Sequence, residues 1–194
     1  TGTLFAHEQE HITADIMVTA KGLGAGYQPI GAMLVSDKIF RAVSEGSGFF
    51  QHGHTYLGHP VACAASLAVQ KYVEENNLLN NVQEMGQLLM DELQAAFGQH
   101  PHVGDIRGRG LFLGLELVAD RESKETFDPA RKINSNIKAA ALSKGLMCYP
   151  MGGTVDGRRG DHILLAPPFI MEHSHIDEIV GGLDHAINHV LDAG

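Results

Sequence analysis

The stretch that decides the fold spans residues 15–26 and reads Asp15-Ile16-Met17-Val18-Thr19-Ala20-Lys21-Gly22-Leu23-Gly24-Ala25-Gly26. Its first half is rich in residues that favour extended backbone, so it predicts a strand over residues 15–19. A single lysine, Lys21, follows, and three of the next five residues are glycine. Glycine lets the backbone bend closely around a bound group. The pattern therefore places one amine at a strand end, beside a loop suited to a ligand.

Two interpretations of Lys21 are open from the residues alone. A solvated loop lysine stays protonated and only adds charge to the surface. A lysine at the rim of a partly apolar cleft loses its proton more easily, because desolvation disfavours the charged form. A neutral lysine amine forms a Schiff base with an aldehyde. The apolar strand before it, the small Ala20 and the glycines after it favour the second interpretation.

This stretch resembles the second half of the signature of class III aminotransferases, which are pyridoxal 5′-phosphate (PLP) enzymes of fold type I. Three further blocks agree with that family in the same order: Gln28-Pro29-Ile30-Gly31-Ala32, Phe50-Gln51-His52-Gly53-His54-Thr55-Tyr56-Leu57-Gly58-His59-Pro60 and Arg107-Gly108-Arg109-Gly110-Leu111. One motif alone is weak evidence. Four motifs in order, over nearly the whole chain, are specific.

The resemblance implies roles for two residues. Lys21 falls on the lysine that holds PLP as a Schiff base and, once the substrate amine displaces it, moves a proton during transamination. Thr55 falls on the threonine that contacts the PLP phosphate of the neighbouring subunit. The resemblance therefore implies a homodimer whose two active sites are each built from both chains.

A polar loop at residues 152–161 carries two arginines, Arg158 and Arg159. Taken alone, the loop is a solvated turn between two strands. Many class III aminotransferases place an arginine of the small domain just ahead of an apolar strand and a Pro-Pro pair, where it grips a substrate carboxylate. The pair Pro167-Pro168 follows here. Spacing does not choose between the two arginines, with a slight preference for Arg159.

The element order indicates an α/β fold, and the resemblance implies the C-terminal part of a fold-type-I PLP-dependent transferase. Residues 1–77 would be the end of the large PLP-binding domain, and residues 78–194 a small α+β domain. Apolar patterning predicts strands at 15–19, 31–35, 103–106, 111–118, 146–149 and 162–165, and helices at 38–45, 61–73, 78–97, 129–144 and 174–191. The strand at 31–35 and the helix at 61–73 are expected to be buried.

Composition and charge exclude other classes. The formal charge, 14 − 23 = −9, argues against a nucleic-acid surface and against an anionic membrane surface. No apolar run approaches the roughly 18 residues of a membrane span. The two cysteines, Cys63 and Cys148, are expected to be buried, reduced thiols of a cytoplasmic protein.

The chain has twelve histidines, so a metal site is considered. The close pairs are His52 and His54 with His59 nearby, His100 and His102, and His173 and His175. No cysteine or acidic residue accompanies them at ligand spacing, so no metal site is predicted. The glycines at 22, 24 and 26 lack the full spacing and the downstream acid of a dinucleotide-binding fingerprint.

The predicted reaction moves an amino group from an amine or ω-amino acid to a keto acid such as pyruvate. The run Leu164-Leu165-Ala166-Pro167-Pro168-Phe169-Ile170 looks like the amine:pyruvate group of the family. A PLP-dependent aminomutase or decarboxylase of the same fold remains an alternative. So does a non-catalytic, truncated dimerisation fragment, because the resemblance implies that the N-terminal half is missing and that this part alone is inactive.

Overall fold

The computed structural model describes residues 1–191 and has a mixed α/β fold. The chain divides into two compact units. The first, here called the lysine unit, is Thr3–Leu78. The second, here called the sheet unit, contains Thr1–Gly2 and the chain from Leu79 onward.

The lysine unit contains two strands and two helices. Strand β1 is Ile16–Ala20 and pairs antiparallel with β2, Gly31–Val35, in a two-stranded sheet. Helix α1 is Asp37–Glu45 and helix α2 is Pro60–Glu75. Pro60 stands in the first turn of α2, where its missing N–H costs nothing. Two 3-10 turns, Ala6–Glu10 and Lys21–Gly24, complete the unit.

Two expectations of burial in the lysine unit are wrong. Strand β2 was expected inside a sheet, but β1 is its single strand partner within the described residues, and Val18 of β1 is 76% exposed. Helix α2 was expected to be buried in the large domain, yet its buried residues in the described part of the chain are Ala62 and Ser66. The physical reason is the same in both cases: the lysine unit is too small to cover both faces of its apolar elements.

The sheet unit is built on four strands with helices against one face. The strands are β3 (Val103–Arg109), β4 (Phe112–Leu117), β5 (Tyr149–Gly152) and β6 (Asp161–Leu165), in the antiparallel order β3-β4-β6-β5. The helices are α3 (Leu78–Phe97), α4 (Ile133–Ser143) and α5 (His173–Leu191).

The core of the sheet unit follows the two expected periodicities. Alternate residues of β4 point inward, and residues three and four apart on α3 and α5 meet them. Fully buried members include Val82, Leu89, Leu93, Phe97, Leu113, Leu115, Leu117, Leu183 and Ile187. This core fixes the loops at the sheet edges.

Three elements in the sheet unit differ from the sequence prediction by three residues or more at an end, the first being β3, which was predicted over 103–106 and extends to Arg109. The helix predicted over 129–144 is split into a 3-10 turn, Pro129–Arg131, and α4, because Lys132 adopts a left-handed φ of 51°. The strand predicted over 146–149 is wrong, since β5 begins at Tyr149. The backbone N–H of Leu146 instead donates to the carbonyl of Ala141 and closes the end of α4.

The expectation that both cysteines are buried is met only in part by Cys148 and is wrong for Cys63. Cys148 is partly buried, and burial raises the pKa of its thiol. Cys63 is exposed on α2, which contradicts the expectation that it is buried. Both thiols are free. Within the described chain, no helix is long and apolar enough to cross a membrane.

Helix α4 is capped by a residue from a distant strand. Lys132 precedes the helix and its side chain makes no capping hydrogen bond. Asp161, at the start of β6, instead accepts a hydrogen bond from the backbone N–H of Asn134 at 3.2 Å. Asp161 is 6% exposed, and burial raises the pKa of its carboxyl group above the ordinary 3.8, opposed by the hydrogen bonds from Asn134. The carboxylate therefore caps the helix at the cost of partial desolvation.

We expect Asp161→Ala to lower the free energy of unfolding by about 1–2 kcal/mol, since the cap is lost, whereas Asp161→Asn keeps an acceptor. Because the folded-state pKa of Asp161 is raised, its contribution to stability is present below pH 3.8 and is lost as pH rises through the folded value. Asp161→Asn removes this dependence. Urea unfolding of the three proteins at pH 4 and pH 7 measures both effects. Equal stability of the alanine and asparagine variants would contradict the capping role.

Candidate active site

Lys21 stands at the junction between β1 and the glycine-rich turn. It is the first residue of the turn Lys21–Gly24, directly after the last residue of β1. Its φ is 49°, in the left-handed region that non-glycine residues rarely adopt. Such a conformation costs roughly 1–2 kcal/mol. Strain of this kind persists only where surrounding contacts enforce it, and it is concentrated at functional sites.

The turn after Lys21 is closed by backbone hydrogen bonds. The N–H of Ala25 donates to the carbonyl of Gly22 at 3.2 Å, and the N–H of Tyr27 donates to the carbonyl of Gly24 at 2.9 Å. Gly24 is buried, and a Cβ there would lie 2.9 Å from a side-chain carbon of Ile30. A larger residue at this position would therefore force the side chain of Ile30 to shift.

The amine of Lys21 is available for chemistry. Lys21 is exposed, and within residues 1–191 its side chain makes no hydrogen bond or ion pair. A Cβ built on the neighbouring Gly22 would meet nothing within 4 Å. An unengaged amine beside open space fits an aldehyde cofactor that is bound covalently through lysine. The apolar cleft that the sequence argument invoked is not supplied by the described residues.

Thr55 lies on an exposed turn of the lysine unit. The backbone N–H of Leu57 donates to the carbonyl of His54 at 3.0 Å, and Gly58 has a positive φ of 71°. Every residue from 49 to 60 is exposed. The hydroxyl of Thr55 makes no hydrogen bond within the described chain. This donor is therefore free to meet a phosphate.

The histidines near Thr55 make local contacts within the loop and at the start of α2. His59 precedes α2, and its Nδ1 accepts a hydrogen bond from the backbone N–H of Ala62 at 3.4 Å. The rings of His52 and His54 meet edge to face with centroids 5.1 Å apart. Among the residues that the structure describes, no group of three or more histidine, cysteine or acidic side chains is placed to hold a metal ion.

Arg158 and Arg159 lie in the loop between β5 and β6 and differ in the hydrogen bonds and ion pairs that their side chains make. Asp156 accepts hydrogen bonds from the backbone N–H groups of Arg158 at 3.0 Å and Arg159 at 2.7 Å, and from Nε of Arg159 at 2.8 Å. The backbone N–H and then the side chain of Arg159 lower the pKa of Asp156 to about 2. Arg159 is thus tied to Asp156.

Arg158 lines a cavity of about 550 Å³ together with Lys132, Asn134 and Asp161. Its guanidinium has no ion-pair partner in the part of the chain that the structure describes. The slight sequence preference for Arg159 therefore has no geometric support. Arg107, by contrast, forms ion pairs with Asp105 and Glu116 at 2.6 and 2.8 Å, consistent with a structural role.

The structure brings Lys21 and Thr55 into the lysine unit and places Arg158 and Arg159 in the sheet unit. The sequence did not single out Ser66 or Gln70 of α2, although both donate hydrogen bonds to the carbonyl of Leu23 in the lysine turn. A polar pair four residues apart on a helix of small apolar residues was the available signal.

Comparisons with known proteins show the family of this chain. The family model described as aminotransferase class III matches residues 1–187. An uncharacterized aminotransferase of Schizosaccharomyces pombe is 45% identical over the whole chain, which covers 42% of that relative. The chain thus spans about two fifths of the length of the curated relatives it matches.

Solved structures of transaminases share the fold. An (S)-enantioselective omega-transaminase from Thermomicrobium roseum superposes with a TM-score of 0.89 at 36% identity, over 99% of this chain and 41% of that one. An amine transaminase from an uncultivated Pseudomonas species, in its PLP-bound form, superposes with a TM-score of 0.87 at 34% identity, over 97% of this chain and 41% of that one. With the lysine turn, the glycine loop and the family match in agreement, the chain belongs to the class III aminotransferases.

Proposed function

We propose that this chain is the C-terminal part of a PLP-dependent enzyme that moves an amino group from an amine or ω-amino acid to a keto acid such as pyruvate. The observation that carries the proposal is the free amine of Lys21, at the end of β1 and ahead of the glycine turn, in a chain of this family. Two structures with the same fold are described as an omega-transaminase and an amine transaminase, which favours an amine donor.

Residues 1–77 are the end of the large PLP-binding domain in this proposal, and residues 78–194 are the small domain. The coverage of about two fifths of the relatives supports a missing N-terminal portion. The exposed apolar residues of β1 and β2, among them Val18 and Met33, support it as well, because a large apolar surface needs a cover. The chain alone is therefore expected to be inactive.

Lys21 has two tasks in this proposal. When bound, PLP supplies an aldehyde carbon that reacts with amines and a conjugated ring that delocalises the electrons of a substrate carbanion. The Nζ of Lys21 would hold the cofactor covalently. Once released by the substrate amine, the same Nζ would take a proton from the substrate carbon that bears the nitrogen. Arginine could not replace it, because a guanidinium stays charged.

The hydroxyl of Thr55 is proposed to donate a hydrogen bond to the PLP phosphate of a second copy of the chain. Its free hydroxyl and the exposure of residues 49–60 support this role. A loop in which every residue is exposed leaves room for a partner subunit. The enzyme is thus proposed to be a homodimer with shared active sites. The two free thiols are compatible with a cytoplasmic location, which we also propose.

Arg158 and Arg159 are the proposed carboxylate-binding residues. We expect Arg158→Ala to raise KM for pyruvate about tenfold, with a smaller effect on kcat, because a charge-assisted hydrogen bond to the acceptor is lost. Arg159→Ala is expected to raise KM for pyruvate less, since the side chain of Arg159 already donates a hydrogen bond to Asp156. Steady-state kinetics with pyruvate and with an uncharged aldehyde acceptor separate carboxylate binding from folding. Unchanged KM in both variants would exclude this loop.

The decisive experiment uses the full-length enzyme. The purified protein is reduced with borohydride in the presence of PLP, digested and mapped by mass spectrometry, while amino transfer from an amine to pyruvate is measured in parallel. The proposal expects a phosphopyridoxyl group on Lys21 and formation of alanine. Label on another lysine, or none, would refute it.

A further inference from the structure

We propose that Ser66 and Gln70 of α2 are positioning residues that hold the lysine turn in its strained conformation and so aim the amine of Lys21 at its cofactor. This inference deepens the proposed function and rests on it. It concerns side chains that donate hydrogen bonds to the backbone of the turn, and it assigns them an effect through that backbone.

Both side chains converge on one backbone oxygen. The hydroxyl of Ser66 donates to the carbonyl of Leu23 at 2.7 Å, and Nε2 of Gln70 donates to the same oxygen at 3.0 Å. Ser66 and Gln70 are four residues apart, so they lie on the same face of α2. Ser66 is 6% exposed. Here the pair is called the α2 clamp.

The α2 clamp acts two residues after Lys21. Leu23 lies in the middle of the turn Lys21–Gly24, whose first residue carries the left-handed φ of 49° and whose following residue, Ala25, carries a φ of 47°. Two left-handed non-glycine residues in one turn are unfavourable, so the turn relaxes unless its backbone groups are held. Between them, the carbonyl of Leu23 accepts two hydrogen bonds, which fix the orientation of its peptide group.

The choice of residue types also argues for a specific role. Burying a polar hydroxyl is unfavourable unless it is hydrogen-bonded, so an alanine at position 66 would be the simpler way to fill this face of α2. The neighbours Ala62 and Ala65 show that small apolar residues suit the helix. The hydroxyl of Ser66 therefore contributes through its hydrogen bond to Leu23 rather than through packing.

Matched substitutions isolate this hydrogen bond. Ser66→Thr keeps the hydroxyl, and Ser66→Val has nearly the same shape without it. Gln70→Met keeps the length and the helix propensity of glutamine without the donor. Lys71→Met, at the next and exposed position, is the control for placing methionine on α2.

The first readout is amide hydrogen exchange in the full-length enzyme without PLP, over the peptide that contains Ala25 and Tyr27. We expect exchange there to be about tenfold faster in Ser66→Val/Gln70→Met than in wild type, because two hydrogen bonds that hold the turn are lost. Each single variant is expected to show about threefold faster exchange. Ser66→Thr and Lys71→Met should match wild type.

The second readout is the PLP complex. We expect Ser66→Val/Gln70→Met to raise the Kd for PLP about tenfold and to lower kcat without raising KM for the amine. The reason is that a displaced Nζ of Lys21 weakens both its bond to the cofactor and its proton transfer. Exchange and Kd within twofold of Ser66→Thr would overturn the inference. So would a lower Tm with unchanged exchange and kcat, since that is a purely structural effect.

Failure of the proposed function gives a different pattern. If PLP never attaches to Lys21 in wild type, the transaminase proposal fails at the borohydride experiment. The exchange measurement needs no cofactor, so it still reports whether the α2 clamp orders the turn.

Discussion

Replacing Lys21 by alanine is expected to lower kcat for amino transfer by about 10⁴-fold in the full-length enzyme and to abolish borohydride labelling. Lys21→Ala removes both the covalent attachment point and the base that moves the substrate proton. Because the exposed Lys21 side chain makes no hydrogen bond or ion pair within the described residues, its loss should leave the Tm of the apo-enzyme unchanged. The measurements are alanine formation from pyruvate, reduction and mapping, and a thermal melt.

Two further variants make the Lys21 result specific. Lys21→Arg keeps length and charge but has no nucleophilic amine, so it should be as inactive as Lys21→Ala. Lys38→Ala removes another exposed lysine, whose contact is a 3.7 Å ion pair with Asp15 and whose side chain is 82% exposed. It should keep wild-type activity. If Lys21→Arg retained more than about a tenth of wild-type kcat, the amine would not be the reacting group.

The sequence predicted that Lys21 lies between a strand and a turn, but not the backbone conformation of Lys21 or the hydrogen bonds that hold the turn. A strand over residues 15–19 followed by a turn was predicted, because local propensity and the glycines agree there, and the structure has β1 at Ile16–Ala20 with the turn directly after it. The left-handed backbone of Lys21 was not predictable, since nothing in a lysine favours it. The hydrogen bonds that hold the turn come from Ser66 and Gln70, 43 and 47 residues beyond Leu23. Contacts at that separation depend on tertiary packing.

The fold shows the same division between local and distant causes. Helix α3 was predicted with its observed bounds, since its apolar residues recur at three and four and Gly98 follows it. The break before α4 was missed, because it depends on Lys132 in a left-handed conformation and on Asp161 reaching across from β6. Strand β5 was misplaced because Leu146, apolar as a strand residue would be, terminates α4 instead.

A second large effect is expected at Gly86, in the middle of α3. Helix propensity alone predicts that Gly86→Ala stabilises the protein by about 1 kcal/mol. The structure predicts the opposite sign. A Cβ at Gly86 would overlap the backbone atoms of Gly110, in the turn between β3 and β4. Backbone cannot rotate away as a side chain can, so α3 and the turn must separate or distort.

We therefore expect Gly86→Ala to lower the free energy of unfolding by about 2–3 kcal/mol, a typical cost of overpacking. Gly181→Ala is the matched control, because Gly181 is also a mid-helix glycine, on α5, but a Cβ there would meet nothing within 4 Å. It should stabilise by up to about 1 kcal/mol. Urea midpoints of both variants against wild type measure the difference. Stabilisation by Gly86→Ala would mean that α3 and the Gly110 turn do not approach as closely as the structure places them, whereas opposite signs at the two glycines would identify packing, rather than backbone entropy, as the reason for Gly86.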